Sequence, residues 1–158
     1  MTSIYDAIKA DHDNHRTLLD KIADTSGDSK DRQHAWQEFF NDVKSHAAAE
    51  EETFYSKLMQ KTWGQDAARH SVSEHKELDD LMEELNDTDM SSPAWLQKFK
   101  TLKHDYEHHM EEEEEDVFKR AKEVIGEEHN DAFGKRFEER KKEEMKLVDE
   151  KREDSLED

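Results

Sequence analysis

Four histidines and two glutamates recur along the chain at a spacing that could bind metal ions. Each half of the sequence has one histidine followed, 34 positions later, by the pattern His-x-x-x-Glu. The six residues are His12, His46, Glu50, His75, His109 and Glu113. Imidazole and carboxylate groups together suit iron, zinc, manganese or copper. The residue types therefore predict a metal site, and they leave the choice among these metals open.

Two of the spacings place a histidine and a glutamate on one face of a helix. His46 and Glu50 lie four residues apart, as do His109 and Glu113, which is about one helical turn. Each pair also continues an apolar stripe that marks the inner face of its helix. The stripes consist of Trp36, Phe39 and Val43 in one helix and of Phe99, Leu102 and Tyr106 in the other.

Charged groups at such core positions cost several kcal/mol unless they are paired or bound to metal. We therefore predict two cations, each bound by two histidines and both bridged by Glu50 and Glu113. Six protein ligands shared by two metal ions leave coordination positions open for a reactant.

The first half of the sequence aligns with the second, without a gap, at a shift of 63 residues. The matched positions include a serine helix start, stripe residues and members of the predicted site. The pairs are Ser29 with Ser92, Trp36 with Phe99, Phe39 with Leu102, Val43 with Tyr106, His46 with His109 and Glu50 with Glu113. The repeat predicts two helical hairpins related by a pseudo-two-fold axis, whose shared inward-facing residues build one site.

The helices that would position these residues are marked by start and stop residues. The starts are Ser3, Ser29 and Ser92 followed by Pro93, and the stops are Gly64 and Gly126. With 4 Gly and 1 Pro in 158 residues, the composition favours long helices. We predict an all-α fold: an antiparallel up-down-up-down four-helix bundle over residues 1–126, with an additional C-terminal helix and charged tail over 127–158 in the same domain. The last helix, beginning near Glu127, is expected to pack as far as Phe137 and then to fray.

The overall charge and composition exclude several classes of function. The formal net charge of -19 repels DNA, RNA and anionic membrane surfaces, so neither nucleic acid nor a membrane is an expected partner. The absence of cysteine excludes disulfides, iron–sulfur clusters and thiolate zinc sites. The first residues lack the features of a signal peptide, and no apolar run is long enough to span a bilayer. The predicted location is the cytoplasm, and the oligomeric state stays open.

Four segments carry the candidate ligands in order: ADHDNHRTLL, SHAAAEEETFY, SEHKELDDLM and HHMEEEEEDVF. With the trailing segment IGEEHNDAFGKRFEERKK, they resemble the hemerythrin-like family, in its HHE cation-binding branch, over about residues 4–140. The resemblance implies a four-helix bundle with a non-haem di-iron site, bridged by carboxylates, that binds oxygen. The ligands it implies are His12, His46, Glu50, His75, His109 and Glu113. It also implies a role in iron or oxygen sensing, redox stress, or nitric oxide or peroxide handling.

The sequence differs from the oxygen-carrying hemerythrins in two places. Their third helix supplies a His-x3-His pair, whereas His75 is preceded at that spacing by Ser71 and followed by Asp79. Their last helix supplies an aspartate further from its histidine, where this chain has His109-x3-Glu113.

The leading functional prediction is a protein with two iron ions that binds, senses or reacts with oxygen, peroxide or nitric oxide. One alternative is an iron-dependent redox enzyme that consumes peroxide or nitric oxide. The other is a metal-free acidic interaction module or a generic binder of divalent cations. Zinc and manganese remain open as the resident metal.

Residues near the candidate ligands have weaker patterns. His15 has Leu78 as its repeat partner, so it is expected to pack near the site and is the best candidate for an additional ligand. Tyr106 is expected to be a core aromatic residue that could hydrogen-bond a ligand. The glutamate runs 50–52 and 111–115 are predicted to be solvated apart from the two candidate ligands among them.

Overall fold

The computed structural model describes residues 3–125 and 130–157, and this part of the chain is helical with no β-strand. The five long helices are α1 (Ile4–Ala23), α2 (Lys30–Glu50), α3 (Gln65–Asn86), α4 (Pro93–Glu112) and α5 (Asn130–Glu157). Both α2 and α4 continue without a break through a π-helical turn into a further α-helical segment. These continuations are Glu51–Tyr55 and Ser56–Met59 after α2, and Glu113–Val117 and Phe118–Ile125 after α4. A 3-10 turn, Thr62–Gly64, leads into α3.

The three predicted helix starts are confirmed by their hydrogen bonds. The side-chain oxygens of Ser3, Ser29 and Ser92 each accept a hydrogen bond from a backbone N–H in the first turn of α1, α2 and α4. Such caps satisfy amide groups that have no partner within the helix, and each contributes about 0.5–2 kcal/mol. The predicted stop at Gly126 and the predicted start near Glu127 lie outside the described residues.

The first four helices form the predicted antiparallel bundle, and two apolar cores fill its two ends. The first core contains Leu18, Leu19, Ile22, Ala35, Trp36, Phe39, Val43, Leu78, Met82, Leu85, Trp95, Phe99, Leu102, Tyr106 and Met110. The second core contains Ile4, Tyr5, Ala7, Ile8, Ala49, Phe54, Tyr55, Leu58, Ala68, Val117, Phe118, Ala121 and Phe137. On every helix of the bundle the candidate ligands fall where these two sets meet, with Ala49 and Met110 directly beside them. Among the described helices, none is long and apolar enough to cross a membrane.

The prediction that the last helix frays after Phe137 is wrong. Helix α5 runs to Glu157 and packs against both α1 and α2. The Nζ atom of Lys141 lies 2.8 Å from Asp11 Oδ1 and 3.0 Å from Asp42 Oδ1, so one lysine of the charged tail joins α5 to two neighbouring helices. The high charge of the segment after Phe137 predicts fraying, but part of that charge faces carboxylates of the bundle. The side chain of Phe133, also expected on this helix, lies outside the described residues.

A buried arginine ties together two loops at one end of the bundle. Arg32 is 3% exposed and donates hydrogen bonds to the hydroxyl and carbonyl oxygens of Thr25 and to the carbonyl oxygen of Met90, at 2.7–2.9 Å. Its guanidinium group also lies 4.8 Å from the centre of the Trp95 ring. The loop before α2 and the loop before α4 are therefore held by one side chain.

Replacing this arginine is expected to destabilise the bundle. Arg32→Met removes three partly buried hydrogen bonds and a cation–π contact, and should lower the free energy of unfolding by about 2–4 kcal/mol. Urea denaturation followed by circular dichroism measures the change. The control is Lys30→Met, an exposed position two residues away, which should change stability by less than about 0.5 kcal/mol. Equal effects of the two substitutions would contradict the role given to Arg32.

Candidate metal centre

The six predicted side chains converge between the two apolar cores. His12, His46, Glu50, His109 and Glu113 are each at most 2% exposed, and the side chain of His75 is 8% exposed. All four imidazoles point their Nε2 atoms at the two carboxylates. The distances are 3.2 Å from His12 to Glu113, 3.3 Å from His46 to Glu50, 3.1 Å from His75 to Glu50 and 3.7 Å from His109 to Glu113.

These side chains make two overlapping groups of potential ligands. One group contains His12 and His46, the other contains His75 and His109, and both include Glu50 and Glu113. Within each group the donor atoms lie within 4.8 Å of one another. The two groups are related by the repeat, because each histidine pair comes from one half of the sequence. The six side chains therefore converge as two linked groups, and their occupation by two cations stays a prediction.

The interior of the cluster contains polar atoms that no protein group satisfies. Among the described residues, His12 Nε2, His46 Nε2, His109 Nε2 and all four carboxylate oxygens of Glu50 and Glu113 are buried without a hydrogen-bond partner. Each buried unsatisfied group of this kind costs roughly 1–3 kcal/mol, and more when it is charged. The hydroxyl of Tyr55, whose ring lies 5.5 Å from that of His75, is buried without a partner as well. Donors of this chemistry fit cations placed between them.

A second set of carboxylates holds the outer nitrogen of every imidazole. The four Nδ1 contacts are His12 with Glu114 at 3.2 Å, His46 with Asp11 at 2.7 Å, His75 with Glu51 at 3.1 Å and His109 with Glu74 at 3.0 Å. A carboxylate at Nδ1 fixes the orientation of the ring and keeps a proton on that nitrogen, so that in the neutral ring the Nε2 lone pair faces inward.

The sequence analysis missed these supporting carboxylates and was wrong to treat Glu51 and Glu114 as solvated. Both accept from a histidine of the other half of the chain. A signal was present, because an acidic residue directly precedes the first histidine of each half and another directly follows each bridging glutamate. All four acidic positions also match at the shift of 63 residues.

The charges in the cluster are strongly perturbed because they lie close together away from water. Burial raises the pKa of Glu113 well above its usual value, and the neighbouring charge of Glu50 raises it further. Burial alone would lower the pKa of His46, but the charge of Glu50 and the hydrogen bond to Asp11 raise it to about 9. The pKa of His75 is also raised, since contacts with Glu50 and Glu51 outweigh burial. Without a cation, protons partly neutralise the site.

His15 was predicted as a possible additional ligand, and the structure gives it other partners. Its Nδ1 atom lies 2.7 Å from the Tyr106 hydroxyl and its Nε2 atom 2.5 Å from Asp42 Oδ2, so both nitrogens are engaged. Burial lowers the pKa of His15 to about 4, although its hydrogen bond to the Asp42 carboxylate opposes the change. The imidazole is therefore neutral, donating from Nε2 and accepting the Tyr106 proton at Nδ1. Tyr106 is the core aromatic residue expected, and its hydrogen bond goes to His15.

Both bridging glutamates lie at the start of a π-helical turn. Glu50 directly precedes the turn after α2, and Glu113 is the first residue of the turn after α4. A π-turn holds one more residue than an α-turn and occurs often at functional sites. The sequence shows it as three successive steps of four between inward residues, at His46, Glu50, Phe54 and Leu58. The sequence analysis used the spacing of the ligands and did not extend it beyond them.

Helix α5 contributes two contacts that help to orient His46. Lys141 donates to Asp11 Oδ1 at 2.8 Å, and Asp11 Oδ2 lies 2.7 Å from His46 Nδ1. The ring of Phe137 meets that of His46 edge-on, with ring centroids 5.4 Å apart. The candidate centre thus depends on the C-terminal helix as well as on the four helices that supply its donors.

Comparison with known proteins agrees with this geometry. Residues 3–121 match the family profile of the hemerythrin HHE cation binding domain, which confirms the resemblance inferred from the sequence. The crystal structure of a hemerythrin HHE cation binding domain-containing protein, the Rv2633c homolog from Mycobacterium kansasii, has the same fold, with a TM-score of 0.77 and 23% identity over 90% of each chain. No curated protein matches the chain. Helix α5 lies beyond the profile match but within the described fold.

Removing one bridging charge is expected to stabilise the metal-free protein. Glu113→Gln replaces a carboxyl group whose pKa is raised by burial, and should increase the free energy of unfolding by about 1–3 kcal/mol at pH 7. A raised folded-state pKa destabilises the protein above the unfolded pKa of Glu, so the gain should disappear as the pH falls below about 4.5. Urea denaturation of chelator-treated protein at pH 7 and pH 4 measures both values.

The matched control for this substitution is Glu115→Gln, an exposed position on the same turn. It removes the same charge from the chain and should leave the stability unchanged within about 0.5 kcal/mol at both pH values. A loss of stability in Glu113→Gln at pH 7 would show that the carboxylate is satisfied without a cation.

Proposed function

Because the chain belongs to the hemerythrin HHE cation-binding domain family, we propose that it is a non-haem di-iron protein that binds, senses or reacts with oxygen, peroxide or nitric oxide. Cation binding follows from the family. The number of ions, their identity and the ligand are the proposal. The observation that carries it is the set of buried imidazole and carboxylate atoms that face one another without partners.

Two ions account for the geometry better than one. A single cation in either group would leave two histidines of the other group facing carboxylates without a partner. Two cations would satisfy both groups: His12 and His46 would hold one ion, and His75 and His109 the other. Glu50 and Glu113 each place one oxygen beside a histidine of each group, so both carboxylates could contribute to both ions and their buried negative charge would be compensated.

The surrounding residues suit a redox-active ion. Bound iron would supply a Lewis-acidic, redox-active centre with positions open to a small oxygen or nitrogen species. The apolar cores on either side exclude bulk water from the donors, and the four carboxylates at Nδ1 keep the rings oriented while charge changes at the centre. Nitrogen and oxygen donors would also accept zinc or manganese. Metal analysis of freshly purified protein identifies the resident ion.

The alternatives from the sequence predict different behaviour. An enzyme that consumes peroxide or nitric oxide would show turnover by the iron-loaded protein that is lost in His75→Ala. A metal-free acidic module would show the same thermal melt before and after chelation. The partnerless atoms of Glu50 and Glu113 favour a metal protein over such a module, because their burial without a cation is unfavourable. The cytoplasmic location stays a prediction.

An anaerobic titration with ferrous iron is expected to saturate at about two ions per chain, because there are two groups of four potential ligands each. His12→Ala and His75→Ala should each reduce tight binding to about one ion, because each removes a ligand from one group only. The control is His104→Ala, whose side chain is 84% exposed, and it should bind as the unchanged protein does. Saturation of the unchanged protein well below two ions would contradict the proposal.

Metal loading is expected to release protons at neutral pH. The pKa of His46 is raised to about 9, so its ring is protonated at pH 7.5 and must lose that proton before a cation binds. Release measured with a pH indicator in weak buffer, with zinc as a redox-silent ion, should be at least about one proton per chain at pH 7.5. It should decrease as the pH rises past 9, where the ring is already neutral. Zinc binding at pH 7.5 without release would show that His46 is not a ligand.

A further inference from the structure

We propose that a crevice between α2 and α3 is the path by which a neutral diatomic molecule, such as dioxygen or nitric oxide, reaches the centre. The inference rests on the proposed function and narrows its ligand. The crevice is bordered at its inner end by His46 and His75, which belong to different ligand groups. A molecule at this position therefore lies next to both predicted ion positions.

The size of the crevice favours a very small molecule. It encloses about 30 Å³, where a single water molecule needs roughly 10–15 Å³ by the same measure. The space thus accommodates a molecule of two heavy atoms and excludes larger reactants. Its apolar lining includes Val43, Leu78 and Met82, which are at most 6% exposed and offer no hydrogen bond from their side chains. Tyr106 also borders it, and its hydroxyl is already hydrogen-bonded to His15.

The chemistry of the walls favours a neutral and weakly hydrated molecule. An anion would lose its hydration among Val43, Leu78 and Met82, and would approach a chain of net charge -19. Peroxide would lose hydrogen bonds to water that these side chains do not replace. Dioxygen and nitric oxide form few hydrogen bonds in water and lose little on entering. At the outer end, an ion pair between Lys44 and Asp79 joins α2 to α3 across the mouth.

The repeat shows how the residues next to the donors differ between the two hairpins. Val43 and Leu78 line the crevice, and the residues at the matching positions of the repeat are Tyr106 and His15. The phenol and imidazole of these two residues are hydrogen-bonded to each other between α1 and α4, and Tyr106 also borders the crevice. The pseudo-two-fold symmetry of the donors is therefore broken in the layer next to them, where small apolar residues leave room on one side.

A second pocket lies on the neighbouring side of α3, toward α4, shares Leu78 with the crevice, and is the competing path. It is larger, about 200 Å³, and its lining includes Glu74, Glu77, Asp105 and His108. Its approach to the centre is through His109, whose outer nitrogen is already held by Glu74. Polar, charged walls suit water and hydrated ions better than a neutral diatomic molecule. Leu81 lines this pocket only, which makes it the matched position for a control.

Xenon tests the crevice without reference to iron. Xenon binds dry apolar cavities, so it should shift the methyl resonances of Val43 and Met82, which line the crevice and not the second pocket, in ¹H–¹³C spectra of the full-length protein, both metal-free and zinc-loaded. Val43→Phe fills the crevice and should remove the shift at Met82. Leu81→Phe, with the same added ring in the second pocket, should retain the shifts at Val43 and Met82.

Nitric oxide binding tests the path in the iron-loaded protein. In anaerobic stopped-flow measurements, Val43→Phe should slow association by roughly tenfold or more, and Met82→Ala, which widens the crevice, should accelerate it. Leu81→Phe should stay within about twofold of the unchanged protein. Iron content is measured for every variant, so that a change in rate is separated from a loss of metal. The two crevice variants have opposite expected effects, so a folding defect in one does not decide the outcome.

Three results would overturn the proposal. The first is an absence of xenon shifts at Val43 and Met82, the two reporters that line only the crevice. The second is an association rate that falls in Leu81→Phe and not in Val43→Phe, which would place the path in the second pocket. The third is xenon binding in the crevice together with full iron loading and no reaction with nitric oxide or dioxygen. That third result would support the cavity but show that neither nitric oxide nor dioxygen is its ligand. Failure to load iron would instead refute the proposed function itself.

Discussion

Two carboxylates placed side by side in the interior of a helical bundle are the constraint on which this structure depends. Glu50 and Glu113 are fully buried, face each other across the pseudo-two-fold axis, and have no hydrogen-bond donor for any of their four oxygens among the described residues. Like charges at such a distance inside a protein are unfavourable by several kcal/mol unless protons or cations compensate them. The imidazoles around them provide the first compensation, and the arrangement leaves space for ions as the second.

Acidic and basic groups alternate outward from the centre of the cluster, and each layer compensates the charge of the layer inside it. Histidines surround the central carboxylates, and a second ring of acidic residues holds the outer nitrogen of each histidine. Beyond that ring, Arg16 pairs with Glu114 and Lys141 pairs with Asp11. Each layer fixes the one inside it, so the orientation of the donors does not depend on a bound ion alone. Much of the acidic composition near the centre therefore has a structural role.

The sequence was sufficient for the parts of this structure that follow from local spacing. The fold class, the helix starts at Ser3, Ser29 and Ser92, and the convergence of the six candidate ligands all follow from periodicity and from the repeat. Contacts between helices did not follow, because a carboxylate that holds a distant histidine has the same local pattern as a solvated one. Glu51, Glu114 and Lys141 were misjudged for this reason. The repeat could have corrected the two glutamates, but Lys141 lies outside it.

The π-turns have a consequence for how the chain tolerates change. Each adds one residue beside a bridging glutamate, so the helix on one side of the turn is rotated relative to the helix on the other. The inward-facing side chains at the two ends of the bundle therefore follow separate helical repeats, and these repeats meet at the glutamate. Substitutions that repack one end need not alter the angle at which the other end presents its side chains. The glutamate marks the position where the two ends meet, so geometry fixes the length of the chain at this turn, whereas the side chains of either end can change separately.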